Sequence, residues 1–127
     1  MTRKDTNAWA LILGCSSGFG AATARELSRN GYHILGIHLD RQATMPEVNR
    51  LIHDIERTGH HAVFYNINAV DETKRHEVLD NFVDLYHREG KAEVKVLFHS
   101  LAFGTLKPLI GRNESEMITK AQLEIAI

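Results

Sequence analysis

The chain has 127 residues, the length of one domain, and its 43% apolar and 24% charged residues are ordinary for a globular protein. Its formal net charge of -1, with acidic and basic residues interleaved, argues against a nucleic-acid or anionic-membrane partner, and no apolar run approaches the roughly 20 residues that span a bilayer. The N-terminus lacks the apolar stretch of a secretory signal, and the single cysteine, Cys15, suits a reducing cytoplasm.

The first predicted strand, Trp9–Leu13, leads into a segment that we call the glycine turn, Gly14–Gly20. A helical pattern rich in small residues follows it and runs to Arg29, where Asn30 and Gly31 give a strong stop signal. Glycines let a backbone approach a pyrophosphate closely, and the first N–H groups and the dipole of the helix neutralise the phosphate charge. The order of strand, turn and helix therefore predicts dinucleotide binding.

Strand and helix signals continue to alternate along the chain. A second strand, Tyr32–Leu39, reaches Asp40, and Thr44 and Glu47 then have the spacing of a capping box for a helix that ends at Gly59. The third and fourth strands are predicted at Ala62–Ile67 and Val94–His99, with a helix between them that Asp71 caps and Gly90 ends, and with a last helix that Thr119 caps. The predicted buried stripe of the helix after Asp71 is Val78, Leu79, Phe82, Val83 and Tyr86.

This alternation predicts an α/β fold with a parallel sheet and right-handed crossovers. We expect a single domain over residues 1–127, a Rossmann-type doubly wound sheet truncated to four strands in the order 3-2-1-4. The loops after the four strands then meet at one edge of the sheet, where ligands bind in such folds. These loops are Gly14–Gly20, Asp40–Thr44, Asn66–Asp71 and Ser100–Gly104.

A glycine turn is also found as a plain connection, in methyltransferases and in P-loop proteins. The P-loop interpretation fails because no Gly-Lys-Ser/Thr closes the turn. The strand before the turn, the helix after it and an acidic residue, Asp40, about twenty residues past the last glycine favour a dinucleotide.

The glycine spacing, with three residues between Gly14 and Gly18 and with Gly20 two later, resembles the short-chain dehydrogenase/reductase family. Asn66-Ile67 stands where that family usually has an Asp followed by Val or Ile, and His99-Ser100-Leu101-Ala102-Phe103-Gly104 stands where it carries Asn-Asn-Ala-Gly. The latter segment looks like the enoyl-acyl-carrier-protein reductase branch. The resemblance covers essentially the whole chain, as the N-terminal half of a family member about twice as long.

The resemblance implies NAD or NADP as the cofactor. The glycine turn would wrap the pyrophosphate and the adenosine ribose, Asn66 would contact the adenine amine, and the Ile67 N–H would contact a ring nitrogen. Asn66 departs from the usual carboxylate, and Leu13 stands where a Thr commonly precedes the first glycine. The implied cofactor-binding residues are Gly14, Ser16, Ser17, Gly18, Phe19, Gly20, Asp40, Arg41, Asn66, Ile67, Ser100, Leu101 and Ala102.

The choice between the two cofactors stays open at this point. A carboxylate at the end of the second strand favours a ribose 2′-hydroxyl, whereas an arginine attracts a 2′-phosphate. The chain has both, as Asp40 and Arg41, and the position where the family more often has its NAD-selecting acid falls on His38.

The catalytic pair of the family, a Tyr and a Lys at Tyr-x-x-x-Lys spacing, is missing. None of the three tyrosines, Tyr32, Tyr65 and Tyr86, has a lysine four residues later, so no catalytic residue is implied. The complete enzyme would transfer a hydride to or from a carbonyl or an enoyl thioester. The chain alone is expected to be inactive and to bind the cofactor weakly or not at all; the alternative is a non-catalytic nucleotide-sensing or interaction module.

Two further expectations concern partners and metals. The Val94–His99 strand would present an open hydrogen-bonding edge, which predicts a homo-oligomer or cover by a missing C-terminal half. No metal site is expected, because His60 and His61 are adjacent and have no further ligand at a metal-binding spacing.

Overall fold

The computed structural model describes residues 7–87 and 91–101. In this part of the chain, four strands form one parallel sheet in the order β3-β2-β1-β4, which confirms the predicted Rossmann arrangement. The central strands are in register with Ala10 opposite Ile34 and Ile34 opposite Ala62. The strands are β1 (Ala8–Leu13), β2 (His33–His38), β3 (Ala62–Asn66) and β4 (Glu93–His99).

Helices connect the strands and cover both faces of the sheet. They are α1 (Gly18–Arg29), α2 (Met45–Glu56), which follows a 3-10 turn over Gln42–Thr44, and α3 (Glu72–Phe82), which continues into a π-helical turn over Val83–His87. Ala24 of α1 and Leu51 of α2 pack in one core cluster with Ile12. On the other face, Phe82 of α3 packs with Trp9 and Leu35. The sheet is therefore doubly wound, as predicted.

The predicted boundaries of the four strands agree with the structure to within two residues. Asp71 is confirmed as the cap of α3, because its carboxylate accepts a hydrogen bond from the Lys74 N–H at 3.1 Å. The end predicted at Gly90 and the last helix, which would begin at Thr119, lie outside the described residues.

Two predictions about the helices were wrong. Leu79 was expected in the buried stripe of α3, but its side chain is 43% exposed, whereas Val78 and Phe82 are buried. Thr44 and Glu47 were expected to form a capping box, but the Thr44 side chain does not cap α2; its hydroxyl donates to the Asp40 carboxylate instead.

The histidines near the start of β2 and β3 pack together at the edge of the sheet that lies opposite the glycine turn. The rings of His33 and His61 lie 4.8 Å apart, and the His61 N–H donates to Nδ1 of His33 at 2.8 Å. Within residues 7–87 and 91–101, no group of three or more His, Cys, Asp or Glu side chains could hold a metal ion. In the same residues, no helix is both long and apolar enough to cross a membrane.

Candidate functional site

The glycine turn lies at the carboxyl edge of the sheet and is tied to the neighbouring strand. Gly14 and Gly18 both have positive φ angles, 80° and 57°, in the region that residues with side chains rarely adopt. The N–H groups of Gly14 and Cys15 both donate to the Ile37 carbonyl, at 2.9 and 3.2 Å. These bonds hold the first half of the turn against the end of β2.

The three glycines of the turn differ in what surrounds them. A side chain at Gly20 would overlap the Gly14 carbonyl, and one at Gly14 would overlap the Ser100 carbonyl in the segment after β4. A side chain at Gly18 would meet no atom within 4 Å. Gly14 and Gly20 are thus required for close packing, whereas Gly18 borders open space into which a ligand can approach the backbone.

The N-terminus of α1 opens at the same place. Ser17 occupies the N-cap position in an extended conformation, but its side chain makes no capping bond, and the first turn contains no acidic residue. The first N–H groups of a helix have no partner inside the helix, and the helix dipole places partial positive charge there. Phe19, in this first turn, is 82% exposed. This end of α1 is therefore suited to an anion.

Cys15 is a buried structural residue of the glycine turn and is not a nucleophile. Its side chain is fully buried in the core between α1 and the sheet. Burial raises the pKa of the Cys15 thiol to about 12, so the side chain stays a neutral thiol at physiological pH.

Asp40, two residues beyond β2, is held by side chains from three segments. Its carboxylate oxygens lie 3.0 Å from Nδ1 of His38 and 2.7 Å from the Thr44 hydroxyl, which donates to it. The Ser16 side chain in the glycine turn also lies beside this carboxylate. Burial would raise the pKa of Asp40, but its polar neighbours Ser16, Thr44 and His38 outweigh the burial and leave the pKa below its usual value.

Asn66, at the end of β3, pairs with the backbone of the same aspartate. Its amide oxygen accepts from the Asp40 N–H at 2.9 Å, and its amide nitrogen donates to the Asp40 carbonyl at 3.0 Å. The Ile67 N–H donates to the His38 carbonyl at 2.8 Å. The predicted bond from this N–H to adenine is therefore corrected: the N–H is already used between the ends of β2 and β3.

A small apolar cavity of about 60 Å³ lies beside these bonds, between the ends of β2 and β3 and the segment after β4. Leu39, Ile67 and Leu101 contribute the larger side chains of its lining. Leu39 is largely exposed. The cavity thus marks a small apolar surface at the edge of the sheet.

The structure brings the described members of the predicted site to one edge of the sheet. The glycine turn contacts the end of β2 through Ser16 and Asp40, and it contacts the segment after β4 through Gly14 and Ser100. Arg41 is exposed at the start of the 3-10 turn, and Ala102 lies outside the described residues. Sequence reasoning assigned no site role to Thr44, whose spacing suggested only a helix cap. It also predicted no contact for His38, although this residue stands where the family more often has its NAD-selecting acid.

Comparisons with known proteins agree with this geometry. The family model described as short chain dehydrogenase matches residues 8–119. No curated protein sequence matches the chain. The enoyl-acyl-carrier-protein reductase branch does not emerge from the family model, which is that of the whole family.

Three solved structures illustrate the likeness in fold. A short-chain dehydrogenase from Oenococcus oeni PSU-1 is 17% identical, with a TM-score of 0.68, and the match covers 96% of this chain and 49% of that one. A metagenomic short-chain oxidoreductase in complex with NADP is 19% identical, with a TM-score of 0.64 and coverages of 78% and 41%. A β-ketoacyl-[ACP] reductase from Bacteroides thetaiotaomicron is 22% identical, with a TM-score of 0.59 and coverages of 75% and 42%.

The chain thus spans less than half the length of each of these structures. The match to this family supports the NAD(P) cofactor that the glycine turn predicts. Because that model covers most of the chain, and the sheet order and the glycine turn fit it, the chain belongs to the short-chain dehydrogenase family.

Proposed function

We propose that this chain is the NAD(P)-binding part of a short-chain oxidoreductase. In the complete protein, a hydride would pass between the nicotinamide and a carbonyl or an enoyl thioester. The chain is proposed to resemble the enoyl-acyl-carrier-protein reductase branch of the family, on the sequence from His99 to Gly104. The Tyr that would donate the proton and the Lys that would lower its pKa do not occur as a pair in this chain, so the chain alone is expected to have no turnover.

The glycine turn is the observation that carries this proposal. Its open member, Gly18, adjoins the uncapped N-terminus of α1, so a pyrophosphate can approach backbone N–H groups without meeting a side chain. The apolar surface beside Leu39 and Ile67 would border the adenine. The bound NADP of the metagenomic relative supports a dinucleotide for this edge of the sheet.

Gly18→Ala tests the cofactor site, with Gly31→Ala as its matched control. Both glycines have positive φ, 57° and 97°, and open space around them, so both substitutions strain the backbone, Gly31→Ala at least as much as Gly18→Ala. Only Gly18 lies in the glycine turn. With millimolar NADH or NADPH, we expect the amide NMR signals of Gly14, Gly18 and Gly20 to shift, and Gly18→Ala to weaken binding about tenfold while Gly31→Ala retains it.

Other results would count against the proposal. Shifts confined to residues away from the glycine turn, or equal binding by the two variants, would mean that the turn is only a structural connection. Tight cofactor binding by this short chain would instead favour the alternative, a nucleotide-sensing module, because half of a nicotinamide pocket should bind weakly.

We also propose that β4 is covered by a further polypeptide, either a second copy of this chain or the rest of the reductase. β4 is an outer strand of the described sheet, and its Val94 and Leu97 side chains are exposed. Since the chain has a single cysteine and so no disulfide within it, we propose a reducing cytoplasm as its location.

Light scattering over a range of concentrations tests the proposed cover of β4. We expect the chain to self-associate and Leu97→Lys to reduce the association, because a charge on this face opposes contact with another apolar surface. Leu79→Lys is the control, since Leu79 is also exposed but lies on α3. A monodisperse monomer at high concentration, or an equal effect of both substitutions, would contradict the proposal.

A further inference from the structure

A second cavity, of about 390 Å³, lies between the C-terminal halves of α1 and α2. We call it the arginine pocket, and its lining residues are Arg25, Arg29, Asp54, Arg57 and Thr58. None of these five residues is part of the candidate cofactor site. The 12-residue helix α1 begins at the glycine turn, so its other end lies about 18 Å away along the helix axis. The arginine pocket is therefore separate from the cofactor site.

An ion pair between Arg25 of α1 and Asp54 of α2 joins the two walls of the pocket. The Arg25 Nε donates to the Asp54 carboxylate at 3.0 Å, and the two side chains are 33% and 35% exposed. Four of the five N–H donors of a guanidinium lie on its Nη atoms, which this bond does not use. Arg25 is thus held in place while its Nη groups can still donate to a ligand.

The other two arginines of the pocket, Arg29 and Arg57, are exposed. Arg29 donates to Glu26, one turn earlier on α1, at 3.1 Å, but both side chains are at least 60% exposed. Such a surface pair contributes little, so another anion can replace it at small cost. In the described part of the chain, Arg57 makes no ion pair with a carboxylate. Two guanidiniums are therefore available to a ligand.

The charges around the pocket favour an anion. Asp54 is the one carboxylate in its lining, against three guanidiniums. The C-terminal ends of α1 and α2 each add about half a negative charge, which the guanidiniums still exceed. A basic residue at the end of a helix stabilises that helix, but this role does not require residues of two helices to face one cavity.

A phosphate group suits these donors better than a carboxylate does. It carries about -1.5 to -2 charge near neutral pH and has three terminal oxygens, so it can accept from several guanidiniums at once. The planar guanidinium also matches two oxygens of a phosphate in a bidentate pair. The pocket has the volume of a small-molecule site, whereas a protein partner needs a contact of about 800 Å² on each side.

We propose that the arginine pocket binds the phosphate groups of a small phosphorylated molecule. The site is additional to the proposed function and does not depend on it, because the two sites share no residue. Arg29 and Arg57 bind the ligand from the two helices, and Arg25 holds those helices together while its Nη groups face the same anion.

Titration with inorganic pyrophosphate at low ionic strength, followed by amide NMR of the chain, tests the inference. The amides of Thr58 and Gly59 report on the arginine pocket. Those of Gly18 and Gly20 report separately on the glycine turn, which also suits an anion. We expect a saturable shift of the Thr58 and Gly59 signals. Arg57→Gln should weaken this binding about tenfold, and Gly18→Ala should leave it unchanged.

Arg50→Gln is the matched control for charge. Arg50 is exposed on α2 but does not line the pocket, so binding should stay within about twofold of the wild type. Equal losses from Arg50→Gln and Arg57→Gln would mean a general attraction of anions to this surface and would overturn the inference. Shifts at the glycine turn alone would overturn it too, while supporting the cofactor site. Tighter binding of citrate, or of hexaglutamate peptide, would overturn the assignment to phosphate.

Asp54→Asn is expected to have the opposite effect to Arg57→Gln. It removes the one carboxylate in the lining and releases Arg25, so pyrophosphate should bind about fivefold more tightly. The ion pair is partly exposed, so the chain should still fold without it. Glu47→Gln removes the same charge from the first turn of α2 and should leave binding unchanged. Unchanged or weaker binding by Asp54→Asn would contradict the inference.

Discussion

Gly20→Ala is expected to destabilise the chain by about 3 kcal/mol or more, although helix propensity favours alanine at this position. Gly20 lies in the first turn of α1, where alanine is favoured over glycine by about 1 kcal/mol on helix propensity alone. The new methyl group would, however, overlap the carbonyl group of Gly14. Neither group can rotate away, because the methyl carbon is bonded directly to the backbone and the carbonyl is part of it. The glycine turn would have to open, which would also weaken cofactor binding. Urea denaturation measures the change in the free energy of unfolding.

Two controls separate the steric overlap at Gly20 from the effects of helix propensity and of backbone strain. Ala22→Gly, at an exposed position of the same helix, should cost about 1 kcal/mol and so gives the size of the propensity term. Gly31→Ala should cost about 1–2 kcal/mol from its positive φ alone, because nothing lies within 4 Å of the added atom. A Gly20→Ala variant as stable as the wild type would contradict the close approach of Gly20 to Gly14.

The sheet and the convergence of its loops could be predicted from the sequence because their causes are local or general. Apolar runs of strand length such as Trp9–Leu13 alternate with helical patterns, and parallel strands joined by right-handed crossovers bring their following loops to one edge. The order 3-2-1-4 followed from the Rossmann arrangement, because a glycine turn between a strand and a helix is typical of that fold.

Both errors about the helices concern details that residue spacing does not determine. Thr44 has the right spacing for a cap, but it ends the 3-10 turn with φ -100° and ψ -5°, whereas a capping residue has an extended backbone that aims its hydroxyl at the helix N–H groups. Leu79 fits the 3.6-residue period of α3, but it lies about 100° around the helix from Val78, outside the narrow face that Val78 and Phe82 bury. After Phe82 the chain changes to a π-helical turn, in which Tyr86 reaches the Trp9 ring, with centroids 4.9 Å apart.

The contacts within the candidate site could not be predicted from the local sequence either. The residue types that surround the cofactor edge could be named from the motif, but not the bonds among them. Those bonds join Asp40 to Asn66, across 26 positions of the chain, and to Thr44 in the 3-10 turn. Such contacts depend on side-chain rotamers and on the register of β2 against β3, which the pattern of apolar residues does not specify.

Gly36→Ala is expected to destabilise the chain by about 1–3 kcal/mol, although alanine suits a strand better than glycine does. Gly36 lies in the middle of β2, and an added methyl carbon would lie 2.6 Å from the Cys15 sulfur and 2.8 Å from the Phe64 ring. If the sulfur causes part of the overlap, Cys15→Ala should be less harmful in the Gly36→Ala background. The expected coupling, from urea denaturation, is about 1 kcal/mol.

Leu35→Ala provides the control for this cycle, because Leu35 packs in the cluster on the opposite face of the sheet from Cys15. Its effect and that of Cys15→Ala should add to within about 0.5 kcal/mol. Additive effects of Gly36→Ala and Cys15→Ala would mean that the two residues do not touch. The thiol beneath the glycine turn would then not connect it to the centre of β2, and the turn would be held on that strand by the two bonds to the Ile37 carbonyl and by Ser16 beside Asp40.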